Sequence, residues 1–441
     1  MDEATVGRTA PTALFASLGC KVAQYETEAI REAFLREGFC EVTGDADAVV
    51  VNTCTVTEES DRKCRKAIRR LIRENPRARV LVVGCYAQSH PEEVAAIRGV
   101  SYVGGTADKM KTPAIAKKLL ATEATEPTVC VRPLDGEGYE PMCVSGAPRT
   151  RAYVKIADGC DCRCTYCAIP AARGPVRSRD REEILEEIRR LAASGTREVV
   201  LTGIETASYG RDRRDGYRLI DLLEEADRLP IERIRLGSLT PEVVRGDFAE
   251  RCAALTHLCP HFHLSVQSGS DAVLARMKRR YNRAMALSAI EALRAAIPDA
   301  TFTCDMIVGF PGESKENFAE TMDFAEKARF LAMHVFAYSP RRGTVAATLD
   351  GAVPEAEKAA RSRALTSLAA RLTEENLAAA VAAGRPLSVL FETCDGGVYT
   401  GHTPSFLPVR APADSDVRGA ILTVLPKGVE GGFLSCEIIK K

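Results

Sequence analysis

Apolar runs with the character of strands alternate with stretches of helical periodicity through most of this chain, and few architectures accommodate that order. Near the N-terminus, "TALFASLGC" (12–20), "DAVVVNTC" (47–54) and "RVLVVGC" (79–85) read as strands. "QYETEAIREAFLREGF" (24–39) and "EESDRKCRKAIRRLIREN" (58–75), the latter stopped by Pro76, read as the helices between them. Strands joined through helices run parallel, so residues 10–120 are expected to form a doubly wound α/β domain. After a linker of low regularity (121–148), six more strand–helix units follow. Their strands are "AYVKIA" (152–157), "EVVLTGI" (198–204), "RIRLGSL" (233–239), "HFHLSVQ" (261–267), "TFTCDMIVGF" (301–310) and "AMHVFAYS" (332–339). Six such units predict a partial (β/α)6 barrel over 149–375, with its chemistry at the C-terminal strand ends. Over 380–441 the pattern changes to short strands with Gly and Pro turns, as in a small all-β, OB-like barrel. The expected fold class is therefore α/β multidomain.

Composition narrows the function classes. Lys plus Arg and Asp plus Glu both number 60, so nucleic-acid contacts would have to use local basic patches, not a global field. The N-terminal stretch has acidic residues and no long apolar run, and no later segment reaches membrane-spanning length. A cytoplasmic protein with no membrane partner is expected. Sixteen cysteines in such a protein point to metal or redox work and away from disulfides. Nine of them (Cys40, Cys64, Cys130, Cys143, Cys252, Cys259, Cys304, Cys394 and Cys436) are isolated and are read as small hydrophobes or surface thiols.

The others are grouped. Cys160, Cys162, Cys164 and Cys167 fall in "GCDCRCTYC", directly after the first barrel strand. A closed site of four thiolates would be zinc. The spacing C-x3-C-x2-C, from Cys160, Cys164 and Cys167, would instead hold a 4Fe-4S cluster with one iron left open. Cys162 is then an extra thiol. A second group is Cys20, Cys54 and Cys85, each at the end of a predicted strand. Parallel strands share one C-terminal edge, where open α/β sheets bind ligands. Residues 34 and 31 apart can thus meet there as a second three-thiolate site, or remain three unrelated buried cysteines.

"GCDCRCTYCAIPAARG" resembles the motif of the radical S-adenosylmethionine (SAM) enzymes, including the aromatic before the last cysteine. "SLGCKVAQYETE", "NTCTVTEESDRK", "VVGCYAQ", "LTGIETASYG", "LSVQSGSDAVLARMKRRYN", "DMIVGFPGES" and "VFAYSPRRGT" are similar to the radical-SAM methylthiotransferases, over about residues 12–440. The C-terminal module resembles that family's TRAM domain, an RNA-binding barrel. "LGCKVAQYE" resembles the MtaB-type branch, which acts on N6-threonylcarbamoyladenosine at tRNA position 37. Other branches act on isopentenyladenosine or on a ribosomal-protein aspartate. Four places depart from the family pattern: Ala23 for the usual Asn, Asp161–Cys162 for Asn-Asn, Glu205 for His and Thr240 for Glu.

The resemblance implies two 4Fe-4S clusters, each with three Cys ligands, and S-adenosyl-L-methionine as cofactors. Cys160, Cys164 and Cys167 would hold the cluster that binds SAM and cleaves it to a 5′-deoxyadenosyl radical. Cys20, Cys54 and Cys85 would hold the sulfur-bearing cluster. One SAM would methylate the sulfur and the other would supply the radical that activates the inert C2–H bond of the adenine. Gly203, Ser238, Gln267, Gly309 and Gly312 are candidates for the SAM site at the strand ends, although turns alone would also explain the glycines. Implied partners are a tRNA anticodon stem-loop and an electron-donor protein such as flavodoxin or ferredoxin, with the enzyme itself a monomer. The basic stretches 62–79 and 276–283 could meet phosphates or could be solvated helix faces. Tyr399 and Phe406 could present an RNA surface or belong to the core of the last module.

Overall fold

The computed structural model describes residues 10–123, 126–146 and 150–439. The reading of the first nine residues, four linker residues (124, 125, 147 and 148), residue 149 and the last two residues lie outside that description. The chain divides into two compact units. One gathers the chain up to Val144 with Gly159–Asp161 and Ala168–Pro175. The other gathers Ser145–Asp158, Cys162–Cys167 and everything from Val176 onward.

The first unit is built on a parallel sheet of six strands. These are β1 (Thr12–Ser17), β2 (Cys40–Glu41), β3 (Ala48–Thr53), β4 (Arg79–Gly84), β5 (Val100–Gly104) and β6 (Thr128–Cys130), in the order β2-β1-β3-β4-β5-β6. β3 reads "AVVVNT" and is buried along its whole length, because helices cover both faces of the sheet. Alternate residues feed different cores. Val49, Val51, Val80 and Val82 pack with Ile68 and Leu71 of the helix Glu58–Glu74. Val50, Leu81 and Val83 pack with Ile30 and Phe34 of the helix Lys21–Arg36. The strand order reverses between β1 and β3, which opens a crevice at their C-terminal ends.

The second unit holds the six strand–helix repeats. β7 (Arg151–Asp158) pairs antiparallel with the short β8 (Arg177–Ser178) and parallel with β9 (Glu198–Gly203), which pairs with β10 (Arg233–Leu236). β11 (Ser238–Leu239), β12 (His261–Gln267), β13 (Thr301–Val308) and β14 (Ala332–Ala337) continue the parallel series. The expected strand 233–239 is thus broken at Gly237, where the sheet passes from one four-stranded part to the other. Phe262, Leu264, Val266, Phe302, Cys304 and Met306 are fully buried on one face, while polar residues alternate with them on the other.

A 29-residue helix, Glu355–Ala383, leads to a closed five-stranded barrel. It comprises β15 (Leu387–Asp395), β16 (Val398–His402), β17 (Pro408–Pro412), β18 (Ile421–Glu430) and β19 (Phe433–Ile438), in the order β15-β16-β17-β19-β18, the five-strand closure of an OB-like module. Its 403–406 turn packs beneath the N-terminal ends of the parallel strands. Phe406 stacks between His261 and His402, with both ring centroids at 4.5 Å, and Arg235 lies over it at 4.9 Å. Arg235 also holds Glu198 through two bonds of 2.7 and 3.2 Å and donates to the Pro404 carbonyl at 2.9 Å. Phe406, partly buried, and the buried Tyr399 therefore both take part in interior packing. No helix among the described residues is long and apolar enough to cross a membrane.

Candidate functional site

In the first unit Cys20, Cys54 and Cys85 all lie at the C-terminal edge of the sheet. Cys20 caps the helix after β1, Cys54 directly follows β3, and Cys85 opens the short helix after β4. The first two flank the strand-order reversal, where ligand crevices form. Their loops approach closely: a Cβ on Gly19 would stand 2.5 Å from Cys54 Cβ and 2.9 Å from its Sγ, and the φ of +131° there also suits only glycine. Burial, with Cys85 and Cys20 as neighbours, pushes the Cys54 thiol up to about 12. Burial also raises Cys85, against the pull of Arg173 and Lys109. Such thiols stay protonated alone and become thiolates when a metal displaces the proton. The donor set and its glycine-lined approach fit an iron–sulfur cluster.

One flank of this edge is ionic. Arg173 Nε donates to Cys85 Sγ at 3.0 Å, and its guanidinium grips Glu26, with an Nη2–Oε2 bond of 3.1 Å. Lys109 pairs with the same carboxylate, and all three side chains are fully enclosed. None of the three was expected as a site residue. Arg173 lies in "AIPAARG", just beyond the dense cysteine stretch, which is the one sequence signal that could have pointed to it.

The dense cysteine stretch leaves β7 through Gly159, where a Cβ would fall 1.8 Å from the Pro175 carbonyl, so only glycine fits this exit. Cys160 N–H donates to the Gly174 carbonyl at 3.0 Å. In the second unit Cys167 N–H donates to the Cys164 carbonyl at 3.1 Å, which turns the loop tightly. Arg279 Nη1 donates to Cys164 Sγ at 3.1 Å and is itself held by the Ser265 carbonyl and Tyr281 Oη, both at 2.8 Å. A hydrogen bond with Cys162, followed by burial, raises the Cys164 thiol well above its ordinary value, with Arg279 opposing. Cys162 therefore lies against an expected ligand, and its Sγ is within 4.8 Å of a Glu205 carboxylate oxygen.

Glu205 follows β9. Its Oε1 is enclosed with no hydrogen-bond partner among the described residues. Burial raises its carboxyl to about 7, although Arg279 and Arg211 pull it down. A native carboxyl titrating above its unfolded value of 4.5 holds a proton that the unfolded chain has lost, so stability falls as pH rises from about 4.5 to about 7. In cluster-free protein, Glu205→Gln should add up to about 3 kcal/mol near pH 8 and almost nothing below the unfolded pKa. Urea midpoints at the two pH values test this; an equal change at both rejects the account.

The candidate SAM contacts lie at or near strand ends. Gly203 ends β9, Ser238 opens β11 just past the break, and Gln267 ends β12 with a left-handed φ of +72°. Such strain in a non-glycine residue is often found at functional sites. Gly309 and Gly312 follow β13, where they pass Lys358 and the Arg276 guanidinium, so packing accounts for both. Three cations of the basic stretch 276–283 are engaged within the chain: Arg276 binds Asp350 at 2.7 Å, Arg279 holds Cys164, and Arg283 pairs with Asp323, while Lys278 and Arg280 are exposed. In the helix Glu58–Glu74, by contrast, Lys66, Arg69 and Arg73 are exposed at positions that share one face.

Comparisons with known proteins agree with this arrangement. The Radical SAM superfamily matches residues 154–325, and the uncharacterized protein family UPF0004 matches residues 12–105. The threonylcarbamoyladenosine tRNA methylthiotransferase MtaB of Bacillus subtilis (strain 168) is 38% identical over 422 residues, 94% of this chain and 93% of that protein. The protein of the same name from Chlamydia pneumoniae is 35% identical over 441 residues, 99% of this chain and all of its own length. Among solved structures, TsrM from Kitasatospora setae, a radical S-adenosylmethionine methyltransferase with cobalamin and a [4Fe-4S] cluster bound, superposes with a TM-score of 0.57 at 17% identity. That superposition covers 77% of each chain and bears on the fold alone. With more than a third of its residues shared along nearly the full length of the first two relatives, the chain belongs to the radical-SAM methylthiotransferase family.

Proposed function

We propose that this chain inserts a methylthio group at C2 of N6-threonylcarbamoyladenosine at position 37 of tRNA. The observation that carries this reading is the pairing of two cysteine triads at parallel-strand ends with full-length likeness to enzymes of that name. Cys160, Cys164 and Cys167 would hold one 4Fe-4S cluster, and Cys20, Cys54 and Cys85 another. Together with SAM these groups supply one-electron cleavage and a transferable sulfur, which polar side chains cannot. The chain's own residues fix the setting: Arg279 orients Cys164 and Arg173 orients Cys85, while Gly203, Ser238 and Gln267 would contact SAM. An electron-donor protein such as flavodoxin or ferredoxin supplies the electrons, and the enzyme works as a monomer in the cytoplasm.

Mass spectrometry of tRNA nucleosides from a deletion strain tests the substrate. Loss of methylthio-threonylcarbamoyladenosine, restored by the gene, is expected. Its persistence, with loss of the isopentenyladenosine derivative, would move the enzyme to the other branch.

The exposed stripe of Lys66, Arg69 and Arg73 is the surface for tRNA phosphates. Each phosphate contact adds about 0.7–0.9 to the slope of log affinity against log salt. The triple substitution Lys66→Ala, Arg69→Ala and Arg73→Ala should therefore lower that slope by about 2, with little change in nucleoside preference. Filter binding across a salt series measures this, and an unchanged slope removes the helix from the interface.

A further inference from the structure

The polar face of β12, β13 and β14 carries a cluster that neither cysteine triad uses. Parallel register places His263 beside Thr303, and Asp305 beside His334. Paired residues on neighbouring strands point to the same face, and Thr303 and Asp305 are two apart on β13, so all four side chains share one surface. The opposite face is closed by the fully buried Phe262, Leu264, Phe302 and Cys304. Here His263 Nε2 lies 3.2 Å from Asp305 Oδ2, and His334 Nδ1 lies 3.0 Å from Asp305 Oδ1. The three donor atoms are all within 4.8 Å of one another.

That spacing is within a few tenths of an ångström of what one small ion requires at its two His–Asp pairs. Bonds of about 2.0–2.2 Å to His nitrogen and carboxylate oxygen, set tetrahedrally, place ligand atoms about 3.3–3.6 Å apart. The supporting shell also fits. His263 Nδ1 is 2.9 Å from Thr303 Oγ1, which leaves Nε2 as the ring atom facing Asp305. Thr303 is in turn fixed by His261 Nε2 at 3.0 Å. A ligating His held through its other nitrogen by an oxygen is the usual outer-shell arrangement around protein metals. Burial pushes the Asp305 carboxyl up, but hydrogen bonds from His263 and His334 outweigh it and hold the group well below the usual carboxylate range. The cluster opens toward solvent along the strands, with side-chain exposure of 10% at His263, 26% at Asp305 and 63% at His334.

We propose that His263 Nε2, an Asp305 carboxylate oxygen and His334 Nδ1 bind one divalent transition-metal ion of the zinc class, in addition to the cysteine sites. Imidazole suits zinc and its transition-metal neighbours, and one carboxylate among two imidazoles suits them better than it suits magnesium or calcium. Three protein ligands leave a fourth position on the solvent side for water or an oxygen of a bound ligand.

The test uses protein with both iron–sulfur sites reconstituted, so that the ligating thiols are engaged. It is treated with chelator, desalted, and titrated anaerobically with zinc sulfate by calorimetry. Wild type should take up one tight equivalent. His334→Ala, at the most exposed of the three positions, and Asp305→Asn should each weaken that event at least about 100-fold, the upper end of what losing an outer-shell partner alone costs. Thr303→Val should weaken it about 10–100-fold with all three ligands in place. His257→Ala, on another loop, should leave it unchanged. An unchanged melting curve for His334→Ala keeps a loss of zinc from being a loss of fold. Absence of a tight equivalent in wild type overturns the site, as does undiminished binding in both His334→Ala and Asp305→Asn. Methylthiotransferase activity does not enter this readout, so the site can fail while the proposed function stands, and the reverse.

Discussion

Replacing Cys160, Cys164 and Cys167 together by alanine should abolish product formation and halve the iron, from about eight atoms per chain to about four, at four per cluster. Replacing Cys20, Cys54 and Cys85 should also halve the iron but leave reductive SAM cleavage to 5′-deoxyadenosine intact. This dissociation is the informative result, because the two triads leave the ends of different sheets. Loss of three ligands to one cluster removes a binding term of metal-site size, so partial retention is not expected. Anaerobic iron and sulfide analysis, with chromatographic detection of 5′-deoxyadenosine, measures both halves. Zinc without acid-labile sulfide in wild type would replace the enzyme reading with that of a zinc-containing RNA-binding protein. Cys162→Ala should leave iron content unchanged. Its thiol hydrogen bonds to Cys164, but on the proposed assignment Cys160, Cys164 and Cys167 are the ligands.

Three strands of the first sheet, β1, β3 and β4, were legible in the sequence because each is a short apolar run ended by a helix signal, whereas the short β2 and β6 and the strand β5 were not read. "AVVVNT" can only be a strand buried on both faces. That Cys20, Cys54 and Cys85 share one sheet edge followed from parallel connection alone, since shared strand direction sets a shared edge. What stayed hidden depends on partners far along the chain. "RMKRRYNR" has the composition of a phosphate-binding patch, yet Arg279 is drawn inward by Cys164, 115 residues away, and Arg276 is tied to the Pro311 carbonyl and to Asp350. Phe406 sits in a polar turn, and only the packing of that turn under His261 and Arg235 shows it as interior. Gly237, which breaks one expected strand into two, has no local signal beyond being a glycine. His263, Asp305 and His334 lie on three separate strands, and their register exists only once the sheet is formed.

Glu26→Ala should be the most damaging substitution away from the cysteines. It strips the shared carboxylate from Arg173 and Lys109, both enclosed with no exposed side-chain surface. Two buried cations would then lose the carboxylate that they share. Breaking a buried pair by removing one partner costs about 3–5 kcal/mol, much of a domain's stability. Arg173→Met should cost less, because Lys109 remains to neutralise Glu26 and the methionine fills part of the space. Its stronger effect should fall on the thiol edge. Arg173 Nε donates to Cys85 Sγ, and a hydrogen bond to a ligating sulfur is one of the means by which a protein tunes a cluster. The two effects can be separated. Urea unfolding of cluster-free protein should place Glu26→Ala well below Arg173→Met, with wild type highest. Iron retention after timed air exposure, measured with Cys160, Cys164 and Cys167 replaced by alanine so that only the other triad binds, should be lower for Arg173→Met than for Arg173 intact. Glu26→Ala within about 1 kcal/mol of wild type would mean that water reaches this trio and the buried ion-pair account is wrong. Unchanged iron retention in Arg173→Met would confine the arginine to holding the fold.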